Sequence, residues 1–396
     1  MYSLCRSRRS GAWFCFALCA ASLFWAGVPT SSAQQVYFWR GEASNGLWNY
    51  GGNWYHVSNN SSSDIPAGNE ILRFDNASQL AMTNDLPSTS RFRIEFLAGS
   101  GARTVNGTTA NTFFDFGGAA PAIYNNSGNT QTVNFDLLNG NSTGSRLELN
   151  ANSGNFVFGG TLSTSGSGSR ILAFLGGGAT SVTGQVTQAS GTPLSLRVEG
   201  AGTVTLSGAN NNFTGTTTVA AGTLALTANG SLGGGLANYT SGVGVAGGTL
   251  LLGGSAAVTD RINDATPLSL AGAFNTAGLS ERVGALTLAG NSTADLGAGA
   301  STLAFGGTST RTAGTLAFSN WDNGSDHIFF YADSTSTAAY TVPDDFLSNV
   351  TINGLAVSEL ATGEIVPVPE PASWVAGFLL LGTGVCGLRR RLRLAA

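Results

Sequence analysis

The 396-residue chain is poor in most of the side chains that carry chemistry. Its four cysteines, Cys5, Cys15, Cys19 and Cys386, all lie near the two ends, so the long body between them can form no disulfide. Lysine is absent and all 18 basic residues are arginine, which excludes a phosphate-loop lysine. Histidine occurs only at His56 and His327, each without a cysteine or second histidine nearby, so neither reads as part of a metal site. Charged residues make up 10% of the chain, against roughly 25% in ordinary soluble domains. With a net charge of −4 there is no basic footprint for nucleic acid. No Gly-x-Ser-x-Gly elbow sits in a strand-turn-helix setting.

What remains is glycine (56 residues), small polar residues and a 42% hydrophobic fraction, enough for a substantial core. Between Gln35 and about Val366 helical periodicity is nearly missing. Short alternating runs take its place, among them Thr203-Val204-Thr205-Leu206-Ser207, Thr249-Leu250-Leu251-Leu252, Ala285-Leu286-Thr287-Leu288 and Thr315-Leu316-Ala317-Phe318. Each puts aliphatics on one side and Thr or Ser on the other. A phrase recurs with them: Ala221-Gly222-Thr223-Leu224, Gly247-Gly248-Thr249-Leu250, Ala313-Gly314-Thr315-Leu316 and, less closely, Gly159-Gly160-Thr161-Leu162. Short strands with glycine corners predict an all-β body, residues 34–365, built as a parallel β-solenoid. Roughly 20 to 30 residues per coil and about 4.8 Å between coils would give a length of order 60 Å. The competing architecture, two or more β-sandwiches, would need tighter hairpin signals than these Gly-Gly and Asn-Gly pairs.

Both ends read as targeting segments. Arg6, Arg8 and Arg9 precede an apolar stretch at 12–27 and the small-residue site Ser31-Ser32-Ala33, which predicts a signal peptide over 1–33, cut between Ala33 and Gln34 by signal peptidase after export through the Sec machinery. At the other end Pro367, Pro369 and Pro371 give an extended strip that cannot join a helix. An uncharged apolar run at 372–388 is about 17 residues long, the short end of what spans a bilayer. Arg389, Arg390, Arg391 and Arg393 follow as a cytoplasmic stop, which places the body outside.

Val368-Pro369-Glu370-Pro371, then an apolar segment, then an arginine cluster, resembles the PEP-CTERM sorting signal of Gram-negative bacteria, here residues 366–396 with the transmembrane helix inside it. The resemblance implies an exosortase-like membrane enzyme as partner, an inner-membrane intermediate, and a product at the cell surface or outside the cell. A plain single-pass anchor with a proline-rich linker is the other reading of the same residues. The segment 202–226, from Gly202-Thr203-Val204 through Asn210-Asn211-Asn212-Phe213 to Gly222-Thr223-Leu224-Ala225-Leu226, is similar to the autotransporter-associated β-strand repeat. That resemblance implies a right-handed parallel β-helix. The terminal barrel of autotransporters does not carry over, because the chain ends in one apolar run rather than many long alternating strands.

Tyr37, Phe38, Trp39, Trp48, Trp54 and Tyr55 crowd the start of the body, either as a cap on the first coil or as a sugar-stacking platform. Acid pairs are few: Asp344 with Asp345, taken as strand neighbours on opposite faces, and Asp322 with Asp326, a polar turn or a loose Ca²⁺ loop. The sequence therefore predicts no catalytic, cofactor or metal residues, and an exported, non-enzymatic surface or matrix protein. The family resemblance implies association with exopolysaccharide or biofilm. A carbohydrate-active lyase or glycosidase on the same scaffold, or an adhesin, are the alternatives; the former would need clustered carboxylates in a groove.

Overall fold

The computed structural model describes residues 34–87, 93–107, 111–113, 122–140, 145–232, 241–254 and 260–368. The signal segment 1–33 and the tail 369–396 lie outside them, and so do the predicted cleavage residue Ala33, the apolar run and the four terminal arginines. The described residues coil repeatedly through two long sheets, one of 13 strands and one of 14, with two three-stranded sheets beside them. In the first sheet every neighbouring pair is parallel except the one that ends it, Val36–Trp39 with Trp54–His56. In the second the antiparallel pairs are the two at its far end, Val350–Ile352 with Leu355–Glu359 and Leu355–Glu359 with Ile365–Pro367. A β-sandwich would be built from antiparallel pairs, so the solenoid expectation holds.

The core follows from period-two alternation stacked in register. Leu149, Phe174, Val198, Val219, Val245, Leu270 and Leu288 lie one above another on the first face and are all buried. Phe158, Val182, Leu206, Leu226 and Leu252 do the same on the second. Each such side chain contributes about 1.5–3 kcal/mol by leaving water.

Glycine makes the corners possible. Between the first and second faces Gly154, Gly178, Gly202 and Gly222 stack, and between the second face and the next turn of chain Gly160, Gly184 and Gly208 stack. A Cβ on Gly184 would stand 2.0 Å from the Gly160 carbonyl oxygen, and one on Gly208 2.1 Å from that of Gly184, so coils close this tightly admit no side chain there. The Gly-Thr-Leu phrase marks second-face strand starts at Thr223 and Thr249, whereas its weaker copy, Gly160-Thr161-Leu162, leads onto the third face.

That third face is less regular. It begins as Asn111–Phe113, Leu137–Asn139 and Leu162–Thr164, thins to single bridges such as Leu162 to Val186 and Leu232 to Ile262, and resumes as Glu281–Val283, Thr302–Gly306 and His327–Tyr331. In the thin stretch side chains stand in for strands: Val186 N–H donates to Asn211 Oδ1 at 2.9 Å, and Asn211 Nδ2 donates to the Ser231 carbonyl at 2.9 Å. Buried arginines fill the loops in a similar way. Arg103 donates to the carbonyls of Asn76, Ser78 and Gln79, and Arg170 to those of Ser165, Gly168 and Ser169. Burial pulls the Arg103 pKa down to about 10, which leaves it charged, as a guanidinium fork aimed at several carbonyls must be.

Both ends of the coil stack are covered. At the start Trp39, Trp48 and Trp54 are fully buried, packed edge to face, with the Trp48 backbone N–H on the Thr83 carbonyl. Tyr37 and the three tryptophans thus form a cap, while Phe38 and Tyr55 are half-buried on the outer side beneath Arg40. At the finish the helix Asp344–Leu347 buries Phe346 beside Thr310–Arg311, the last strand of the first sheet. Asp344 and Asp345 therefore occupy a first helical turn rather than alternate faces of a strand; two carboxylates after Pro343 suit a helix N-terminus.

Candidate cleft on the third face

The coil running from Leu268 to Leu286 is short, at 18 residues, while the one from Leu149 to Phe174 takes 25. The shortfall is shared between the first corner and the third-face side, and on the third face the ladder breaks between Ile262 and the strand Glu281–Val283. The Glu281 carboxylate bridges the break: Arg261 N–H donates to its Oε2 at 3.2 Å and Ile262 N–H to its Oε1 at 3.3 Å. Beside this break opens a cleft of about 450 Å³, lined by Asp260, Asp264, Glu281, Arg282, Thr302 and Tyr331, together with Ser280, Ala304 and Thr337.

Arg282 is the residue around which the cleft is built. The register sets it beside Ala304, with Phe329 on the next strand. Its Nη2 donates to the carbonyls of Asp333 (2.7 Å) and Ser336 (2.6 Å), its guanidinium lies 5.0 Å above the Tyr331 ring, and its Nε is 3.9 Å from Asp264. Asp333 in turn holds its own loop through Thr335 and Ser336, bonds that keep its carboxylate well below the usual range. The acids of the cleft go the other way. Burial pushes Glu281 up to about 8, raises Asp264, and with help from the Asp264 charge raises Asp260. Three acid groups, a guanidinium and four hydroxyls thus face one volume, a mixture of donors and acceptors suited to a polar ligand and of the kind that marks functional sites.

The residues singled out from the sequence lie elsewhere. Val368, the first of the sorting motif, is exposed, and its N–H donates to the Ala356 carbonyl at 2.7 Å; Pro369, Glu370 and Pro371 lie outside the described residues. Gln34 lies two residues before the first strand. His56 Nδ1 is 2.9 Å from Asp64 and its ring stacks on Tyr37; His327 Nδ1 is 2.6 Å from Glu364. Asp326 is buried and accepts from Ser301 N–H and Oγ and from Asp322 N–H, so it braces a turn. Among the described residues no group of three or more His, Cys, Asp or Glu side chains is placed to hold a metal ion, and no helix is long and apolar enough to cross a membrane. Asp260, Asp264, Glu281 and Arg282 escaped the sequence reading, although the shortened spacing between the Leu268 and Leu286 strands was a usable signal.

The family model described as passenger-associated-transport-repeat matches residues 196–226. These residues hold the strands Thr203–Leu206, Thr217–Val219 and Thr223–Leu226, about one coil of the solenoid, and overlap the segment whose phrase pattern suggested the repeat. No curated protein and no solved structure matches the chain. The repeat and the β-solenoid together fit an exported protein of the surface or passenger type.

Proposed function

We propose that the chain is exported through its segment 1–33, held by its tail in the inner membrane, and processed at Val368-Pro369-Glu370-Pro371 by an exosortase-like enzyme. Its body then serves without catalysis at the cell surface or in the matrix, in contact with exopolysaccharide. The coil is right-handed in this reading, as parallel crossovers nearly always are. The observation that carries the reading is that Val368, the first residue of the motif, is exposed beside the antiparallel strand Leu355–Glu359, with its N–H on the Ala356 carbonyl. The prolines at 367, 369 and 371 donate no ladder hydrogen bond, a sequence feature that suits recognition of the motif by a membrane enzyme. Intact mass of the protein from surface and culture fractions tests it. A mass ending near Pro371 supports processing; one retaining Arg393 makes the tail a plain anchor. Processing that survives Glu370→Ala would also count against the sorting motif.

The third-face cleft favours one second reading, a carbohydrate-active enzyme, because it gathers carboxylates beside an arginine in a groove. New reducing ends or unsaturated products from polysaccharide, lost in Asp264→Asn, would establish it. An adhesin that uses the Thr-rich outer faces is supported by no comparable feature.

A further inference from the structure

We infer that the third-face cleft around Arg282 is a binding site for a sugar ring, a saccharide subsite built into the solenoid wall. The inference deepens the polysaccharide association proposed above and rests on that reading only for the source of the sugar.

The cleft has the dimensions of a small-molecule site, since about 450 Å³ lies within the ~300–1,000 Å³ such sites occupy. It exists because one coil is short, and the protein spends a buried carboxyl, Glu281, to bridge the missing rungs. Its rim is held rigid from several coils at once: Arg282 ties the strand Glu281–Val283 to the loop at Asp333 and Ser336, more than 50 residues on. Ala304, directly beside Arg282 in the register, is small and keeps the floor open.

The chemistry discriminates among ligands. A metal ion lacks a suitable set of three or more acidic, His or Cys groups among the described residues. A compact cation would meet Asp260 and Asp264 but also the Arg282 guanidinium, which already covers the Tyr331 ring. An anion would meet two carboxylates. A polyhydroxylated ring suits all of them, because each hydroxyl both donates and accepts: Asp260 and Asp264 accept from it, while Ser280, Thr302 and Thr337 can do either. Arg282 Nε approaches Asp264 at 3.9 Å, which leaves room for a hydroxyl between them. Asp260 is exposed and the Asp264 side chain is 47% exposed, so both carboxylates are open to hydroxyl donors of a ligand.

The test is calorimetric titration of the full-length chain in mild detergent with cellohexaose, maltohexaose and chitohexaose, and separately with spermidine and sodium phosphate. Binding of at least one hexaose is expected, weakened about tenfold or more in Asp260→Asn/Asp264→Asn. Thr337→Arg, at an exposed rim position, should obstruct the cleft without touching the core; its unchanged melting temperature separates blocked binding from lost folding. Hexaose binding unaffected by either variant, binding of only spermidine or only phosphate, or no binding at all would overturn the assignment. Retention on the host's own surface polysaccharide, run in parallel, separates the two levels. If wild type and variants are retained equally, the cleft falls and the association stands; if neither is retained, both fall.

Discussion

The outer side of the first sheet divides into two unlike halves. Along the early coils it carries a line of charge: Arg73 with Glu95, Arg93 with Glu95 and over Tyr124, Tyr124 with Glu148, then Arg146 with Glu148 and Glu199, and Arg197 with Glu199. Along the late coils the same column reads Thr218, Gly244, Ser269, Thr287 and Thr310. In-register stacking explains both. Equivalent positions of successive coils sit one strand spacing apart, about 4.8 Å, so a charge repeated in place would face its like. The early half alternates signs along and across strands; the late half drops charge and repeats hydroxyls, which tolerate stacking. A chain that is only 10% charged can be soluble because hydroxyls cover so much of its surface.

Substitutions placed in each half test how deep the contrast runs. The largest effect is expected at the corners the halves share: Gly208→Val drives a side chain into the Gly184 carbonyl and should abolish cooperative unfolding by circular dichroism, whatever face lies outside. Next, Leu149→Ala and Leu270→Ala truncate one continuous core column in the charged and the uncharged half, and each should cost about 2–5 kcal/mol in denaturant unfolding. Equal losses would show that the halves differ only on their outside. At the surface, Arg146→Ala should cost about 0.2–1 kcal/mol, an effect that fades with added salt, while Thr218→Ala costs less and is indifferent to salt. A salt-insensitive Arg146→Ala would mean the line of charge is ornament.

The prediction sharpest in form belongs to Glu281. Its pKa is raised in the fold to about 8, so the folded state holds a proton that the unfolded chain releases near 4.5. Its contribution is fully present below about 4.5 and is lost as pH rises through about 8. The difference in stability between wild type and Glu281→Gln should therefore move against wild type across that window and be flat above it. Melting curves at pH 5, 6.5 and 8 read this directly.

The solenoid was legible in the sequence because its causes are local. Alternation in Thr249-Leu250-Leu251-Leu252 fixes which side is buried, and glycine spacing fixes where the chain can turn. The cap was legible too, since Trp39, Trp48 and Trp54 can bury so much area only together. The cleft was not, because no local pattern joins Arg282 to Asp333 or sets Asp264 beside it; those meetings depend on the lengths of intervening coils. The same reason hid the reach of Arg146 to Glu199, two coils away. At Asp344 and Asp345 a local signal existed, Pro343 before two acids, and period-two expectation overrode it.

The way the chain leaves its last cap has a mechanical meaning. The strand Ile365–Pro367 lies antiparallel against Leu355–Glu359, and among the described residues Val368 is the outermost bonded one. If the protein is tethered through the residues after Val368, every tug reaches the body there. An antiparallel strand loaded from its free end opens one bond at a time: first Val368 from Ala356, then the pairs behind it, until buried Ile365 and the His327–Glu364 contact resist. The parallel coils beyond are pulled only after that strand has peeled. Tension would therefore be absorbed in a few residues at the tether, leaving the coil stack, and the cleft in its wall, unstrained.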